Sequence, residues 1–176
     1  MGTDAEEFLC MRCSRHMKTC CQTCEIYTTP RDVERIADFT GREDFYEYRA
    51  PTNPVYLDND DDPAWRDNVF RADGTRRVLK RRAEGDCTFL GPHGCTLPMH
   101  VRPLVCRIYP YDYDEHGIKP DLAQGCPLEL LRPQQGLIEA LDMNLQDAQR
   151  WRTQLYEEIR LEKTTDARRA DLRPAV

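Results

Sequence analysis

The apolar positions of this 176-residue chain change period twice. Between Thr29 and Gly41 they recur at three- and four-residue spacing, with Val33, Ile36 and Ala37 on one face. Thr29 suits an N-cap, Pro30 the first helical position, Asp32 the first turn and Gly41 the stop, which predicts a helix. A second short helix is expected over Glu43–Tyr48, with Phe45 and Tyr48 facing inward. Pro51 to Pro63 reads as a long loop. Val69–Ala72 and Thr75–Leu79 flank Asp73-Gly74, which reads as a hairpin, and Asp86–Leu90 as a third strand. Gly91–Gly94 is a turn leading to Cys95. Pro103 starts and Pro110 ends one or two helical turns, and Tyr111–Ile118 alternates about Glu115–Gly117 as another hairpin. From Gln134 the helical period returns. Leu137, Leu141, Leu145, Ala148, Trp151, Leu155 and Ile159 define one long amphipathic helix ending near Lys163. The pattern predicts an α+β fold of short antiparallel hairpins, short helices and a long C-terminal helix. It forms one domain over residues 1–163, with a flexible tail at 164–176.

One stretch shows neither period. Cys10, Cys13, Cys20, Cys21 and Cys24 fall within fifteen residues, and this segment reads as loop held by ligand bonds. Cys87, Cys95, Cys106 and Cys126 follow in the middle of the chain. A buried cysteine often packs as a small hydrophobe, and for a lone residue that reading would stand. Five so close together, with two C-x2-C pairs, point instead to a metal: thiolates are soft ligands for zinc, copper(I) and iron–sulfur clusters. Neighbouring side chains diverge, so Cys20 and Cys21 could serve two centres or span one cluster. Nine cysteines would fill two four-sulfur sites with one left over, or one site with several thiols elsewhere.

Composition narrows the setting. Hydrophobic residues make up 40% and charged residues 32%, a globular profile without a stretch of roughly eighteen apolar residues, so no membrane span is expected. Met1–Glu7 is acidic and lacks the order of a signal peptide, which predicts a cytoplasmic protein. Cysteines stay reduced there, and an odd total of nine fits a closed disulfide set poorly. A net charge of −6 argues against nucleic acid as a partner.

With these pieces in hand, the chain resembles the YkgJ-type cysteine-cluster family, a zinc- or iron-chelating domain. The resemblance is carried by Cys10-x2-Cys13-x6-Cys20-Cys21, Cys87-Thr-Phe-Leu90, Gly94-Cys95-Thr-Leu97, Val101-Arg-Pro-Leu-Val-Cys106-Arg-Ile-Tyr-Pro110 and Cys126-Pro127, over roughly residues 10–131. It implies Cys10, Cys13, Cys20, Cys21, Cys87, Cys95, Cys106 and Cys126 as metal ligands. The six-residue gap before Cys20-Cys21 is longer than in the family and contains His16, which makes His16 and Cys24 candidate extra ligands. Flagellin lysine methylases carry a related cysteine cluster with an iron–sulfur centre. That similarity favours an iron–sulfur cluster, of the [4Fe-4S] type, with zinc as the alternative cofactor.

The leading expectation is therefore a cysteine-ligated metal domain holding an iron–sulfur cluster with a redox or sensing role. The alternative is a structural zinc module whose long helix recruits a protein partner. A third reading makes Cys24 an enzymatic nucleophile, although no residue stands out as its base, and no G-x-G-x-x-G loop supports methyl transfer. Arg102 and Arg107 flank Cys106 and could offset thiolate charge. Arg76, Arg77, Lys80, Arg81 and Arg82 read as a solvated basic face or a dock for an acidic partner or nucleic acid. Asn59–Asp62 is a solvated acidic run or, without EF-hand spacing, a calcium site. His93, His100 and His116 read as surface or packing residues.

Overall fold

The computed structural model describes residues 9–58 and 60–171, with side chains as far as Lys163. Seven helices and six strands appear among these residues: α1 (Leu9–His16), α2 (Cys20–Thr23), α3 (Pro30–Thr40), β1 (Tyr46–Arg49), α4 (Pro63–Val69), β2 (Arg76–Leu79), β3 (Leu90–Gly91), β4 (Gly94–Cys95), α5 (Leu104–Ile108), β5 (Tyr111–Asp114), β6 (Gly117–Leu122), α6 (Leu137–Ala140) and α7 (Leu145–Asp171). Short 3-10 turns at Pro54–Leu57 and Leu128–Leu130 complete the set. The strands form three separate antiparallel pairs, β1–β2, β3–β4 and β5–β6. The α+β class with short antiparallel pairs and a C-terminal helix is thus observed.

Helix α3 follows its sequence signals. Thr29 Oγ1 accepts from the Asp32 amide at 2.9 Å while the Thr29 amide donates to the Asp32 carboxylate at 3.0 Å. Gly41 closes the helix at φ +67°, a conformation that only glycine adopts cheaply. Elsewhere the structure corrects the reading. Glu43–Tyr48 is not a helix: Tyr46–Arg49 is strand β1, with Tyr46 opposite Leu79 and Tyr48 opposite Arg77. Phe45 is fully buried as expected, but Tyr48 keeps 38% exposure, its hydroxyl accepting from the Arg77 guanidinium at 2.6 Å. No Val69–Leu79 hairpin forms. Asp62 caps and Pro63 opens α4, which runs through Val69, so the Asp73-Gly74 turn joins a helix to a strand. The long helix is broken: α6 stops at Ala140, Asp142 turns at φ +52°, and α7 starts where Asn144 accepts from the Asp147 amide at 2.8 Å. The helix then continues to Asp171 instead of ending near Lys163, and residues 172–176 of the expected tail lie outside the described residues.

Two apolar clusters hold these elements together. Leu104, Ile108, Leu155, Tyr156 and Ile159 join α5 to α7 around Tyr27 and Val69, so the C-terminal helix covers its own domain. Ile36, Phe45, Leu79, Phe89, Leu97 and Val101 form the second cluster, which includes Cys87 and has Cys21 and Cys95 packed against it. Between α3, α5 and α7 lies a buried polar network. Arg35 reaches Asp32 at 2.6 Å and Glu158 at 3.0 Å, Thr29 donates to Glu158, and the Leu104 amide donates to Asp32 at 3.1 Å.

This network makes the protein acid-sensitive. Burial alone would raise the Glu158 carboxyl, but hydrogen bonds from Arg35, Thr29 and Gln154 hold it below its usual value of 4.5. Its stabilisation is complete above that value and is lost as pH falls through the lower folded one. Asp32 acts in the opposite sense, because burial outweighs its bonds and raises its carboxyl. The wild-type Tm is expected to fall between about pH 5 and pH 3 more steeply than that of Glu158→Gln, which starts lower at pH 7. Parallel Tm–pH curves would remove Glu158 from this account.

Candidate metal centre

The cysteine-rich N-terminus is helical, not a loop. Leu9 and Cys13, four residues apart, are the buried face of α1. Arg12 donates to the Leu130 carbonyl, which ties α1 to the 3-10 turn just after Cys126. Thr19 caps α2, whose first two residues are Cys20 and Cys21, and Cys24 ends it. The Cys87 amide donates to the Cys21 carbonyl at 2.8 Å, so the β2–β3 connection lies directly against α2. Cys95 stands on β4 opposite Leu90, and Cys106 is the third residue of α5. All nine cysteines are free thiols.

The fold gathers these residues around Cys21. Hydrogen bonding with the Cys20 sulfur and then burial push the Cys21 thiol far up. Its charge in turn acts on Cys10, Cys13, Cys87, Cys95 and Cys106. Burial raises Cys87 to about 11 and Cys106 further, and Cys10, although solvent-exposed on α1, is raised by desolvation in the same direction. Cys126 is also raised by burial, although a hydrogen bond with Tyr109 opposes this, and it faces Cys13. Two guanidiniums counter the developing negative charge. Arg102 acts on Cys10, Cys21 and Cys95, and Arg81 on Cys21 and Cys87. Arg107 instead donates to the carbonyls of Arg102 and His100, each at 2.7 Å.

A set of thiols with cations beside it matches the donor chemistry of a soft metal ion or an iron–sulfur cluster. Among the described residues, no three Cys, His, Asp or Glu side chains stand at the mutual distances of a coordination shell.

The candidate extra ligands lie at the rim. His16 Nε2 is 3.2 Å from Glu129 at the exposed end of α1. Cys24 interacts with the Tyr56 hydroxyl, and its charge also acts on Tyr109. His93, His100 and His116 are exposed. The basic run is only in part a solvated face: Lys80 and Arg82 are exposed, but the other three are engaged. Arg76 is 3.0 Å from Glu25, Arg77 is paired with Glu162, and both are buried; Arg81 donates to the Gln22, Cys24 and Gly85 carbonyls. Among the described residues the acidic run forms no calcium cage. Asp62 receives the Tyr156 hydroxyl and caps α4, and the Lys119 ammonium sits 3.2 Å from Asp61, 3.7 Å from Asp112 and 3.9 Å from Asp114. Asn59 lies outside the described residues. A cleft of about 330 Å³ lined by Tyr27, Tyr48, Arg71, Arg77 and Glu162 contains no cysteine. No helix among the described residues is long and apolar enough to cross a membrane.

Three supporting residues escaped the sequence reading. Asp32 receives the first amide of α5 and so holds the helix that carries Cys106. Arg81 ties the carbonyls around Cys24 to the β2 end. Tyr109 stands over Cys126, and a Cβ on Gly125 would lie 2.8 Å from its hydroxyl, so the Gly125-Cys126 pair was a usable signal.

A family model, CxxCxxCC, "Putative zinc- or iron-chelating domain", matches residues 9–127. No curated protein and no solved structure gives a significant match.

Proposed function

Because the chain belongs to the CxxCxxCC family of zinc- or iron-chelating domains, we propose that its metal ligands are drawn from Cys10, Cys13, Cys20, Cys21, Cys87, Cys95, Cys106 and Cys126 and that four of them hold an iron–sulfur cluster of the [4Fe-4S] type. The observation that carries this reading is the position of Cys21, whose carbonyl receives the Cys87 amide at 2.8 Å and which packs with Cys95 against the apolar cluster that contains Cys87. A bound cluster supplies one-electron transfer, with a potential set by hydrogen bonds and exposure. The chain's own residues provide the rest. Arg102 and Arg81 offset thiolate charge, the Ile36–Phe89 cluster keeps water from one side, and Tyr109 offers a hydrogen bond at the other. These features support a redox or sensing role in a cytoplasmic protein. Arg107, the other cation beside Cys106, donates to carbonyls and also stands in the field of Cys106.

Anaerobically purified protein is expected to be brown and to contain iron and acid-labile sulfide. A colourless protein carrying stoichiometric zinc would sink the cluster and leave the structural zinc module in its place. Absence of any metal from the reduced protein would sink both.

A further inference from the structure

We propose that the cleft lined by Tyr48, Arg71 and Arg77 is a separate binding site, which takes a small phosphate monoester carrying a compact apolar ring. The cleft contains no cysteine, so this inference does not rest on the metal-binding reading.

Arg71 is a cation held in place without a counter-charge. Its amide donates to the Thr75 carbonyl at 2.9 Å and its carbonyl accepts from the Gly74 amide at 3.0 Å, which fixes its backbone. Its guanidinium lies over the Tyr48 ring, 3.4 Å from the ring centre. Among the described residues that guanidinium has no hydrogen-bond or ion-pair partner. Asp73 stands in its field but is engaged by the Thr75 amide at 3.0 Å and the Thr75 hydroxyl at 2.7 Å. Arg77, at the same cleft, is instead paired with Glu162.

Two further donors line the same space. The Tyr48 hydroxyl accepts from Arg77 Nε at 3.1 Å and Nη2 at 2.6 Å, which leaves its own proton to donate. The Lys163 ammonium gives one hydrogen to the Asp67 carbonyl and keeps the others. Glu162, the acid in the lining, is answered by Arg77 and receives the Tyr27 hydroxyl at 3.5 Å. Arg71 and Lys163 thus leave the cleft positive on a chain of net charge −6. A phosphate monoester carries about −1.5 to −2 at pH 7 and so matches both cations, whereas a carboxylate answers one. A guanidinium grips phosphate through two parallel N–H donors. Val69, Phe70 and Ala72 supply an apolar wall for the ring. The volume of about 330 Å³ is near the lower end for ligand clefts, which suits a compact body.

Isothermal titration calorimetry of the full chain with phenyl phosphate, inorganic phosphate and benzoate tests the site. Phenyl phosphate should bind about tenfold or more tighter than either fragment, because it alone brings both the dianion and the ring. Arg71→Ala should weaken it about tenfold or more, the usual loss when a hydrogen bond to a charged group is removed. Arg42→Ala, an exposed cation outside the lining, should leave the affinity unchanged. Arg71 is exposed, so its variant should keep the wild-type far-UV circular dichroism spectrum. If it does not, Arg71→Lys takes its place and should also bind more weakly, since it keeps the charge and loses the fork. No binding of phenyl phosphate, equal binding of either fragment, or wild-type affinity in the folded Arg71 variant overturns the proposal. A phosphotyrosine peptide binding far more tightly than phenyl phosphate would give the cleft to a peptide and overturn the small-molecule assignment. Metal content of the same samples should be the same in every arm.

Discussion

Arg35→Ala is expected to destabilise the protein by about 3–5 kcal/mol, the usual cost of leaving buried charges uncompensated. The Arg35 guanidinium stands between two carboxylates, Asp32 with a fully buried side chain and Glu158 with 2% exposure. Without it the two acids face each other across α3 and α7, and the Glu158 charge is already one of the influences that push Asp32 up. The Asp32 carboxylate also receives the first amide of α5, so the damage extends to the helix that carries Cys106. For a chain of this size the Tm should fall by roughly 10 °C in differential scanning calorimetry. Arg42→Ala is the control, because its pair with Asp44 is exposed on both sides and should matter by less than about 0.5 kcal/mol. An Arg35→Ala protein as stable as that control would show that the network does not hold the three helices.

Metal removal should have a larger effect still. Helix α1 has eight residues and α2 has four, well below the roughly 12–15 that an isolated helix needs in water. Their apolar anchors are few: Leu9 and Cys13 in α1, and no fully buried residue in α2. Ligand bonds are left to supply the difference, and structural metal sites in small domains contribute on the order of 10 kcal/mol to folding. Treating the reduced protein with a chelator is therefore expected to abolish hydrogen-exchange protection across residues 9–24. The amides of Ile36, Leu104 and Leu155, fully buried in the two apolar clusters, should stay protected longer. Identical exchange maps with and without chelator would mean that packing alone holds α1 and α2.

The parts of the fold that could be read from sequence are those whose instructions are local. Helix α3 announces itself through Thr29, Pro30, Asp32 and Gly41, and α5 through Pro103 and Pro110. The β5–β6 hairpin does so through alternation about a tight turn. Strand β1 could not be read this way, since four residues carry little periodicity and its partner lies about thirty positions later. Arg76 and Arg77 looked solvated because their counter-charges, Glu25 and Glu162, are 51 and 85 residues away. Counting Cys13 only as a ligand hid its second role as the apolar partner of Leu9, and with it the helix. Spacing and residue type named the cysteines as a set. Which elements bring them near one another is decided by packing, in part by the second apolar cluster, which contains Cys87 and has Cys21 and Cys95 against it.

Strand β2 carries a consequence for how the chain is made. It presents one buried arginine to Glu25, next to the cysteine segment, and the other to Glu162, on the C-terminal helix. During synthesis the first of these pairs can form as soon as β2 has left the ribosome. The second must wait until almost the whole chain has emerged, and until then Arg77 cannot be buried without cost. The four residues of β2 thus tie the segment beside the N-terminal cysteines down early and leave Arg77 to be paired only when α7 arrives.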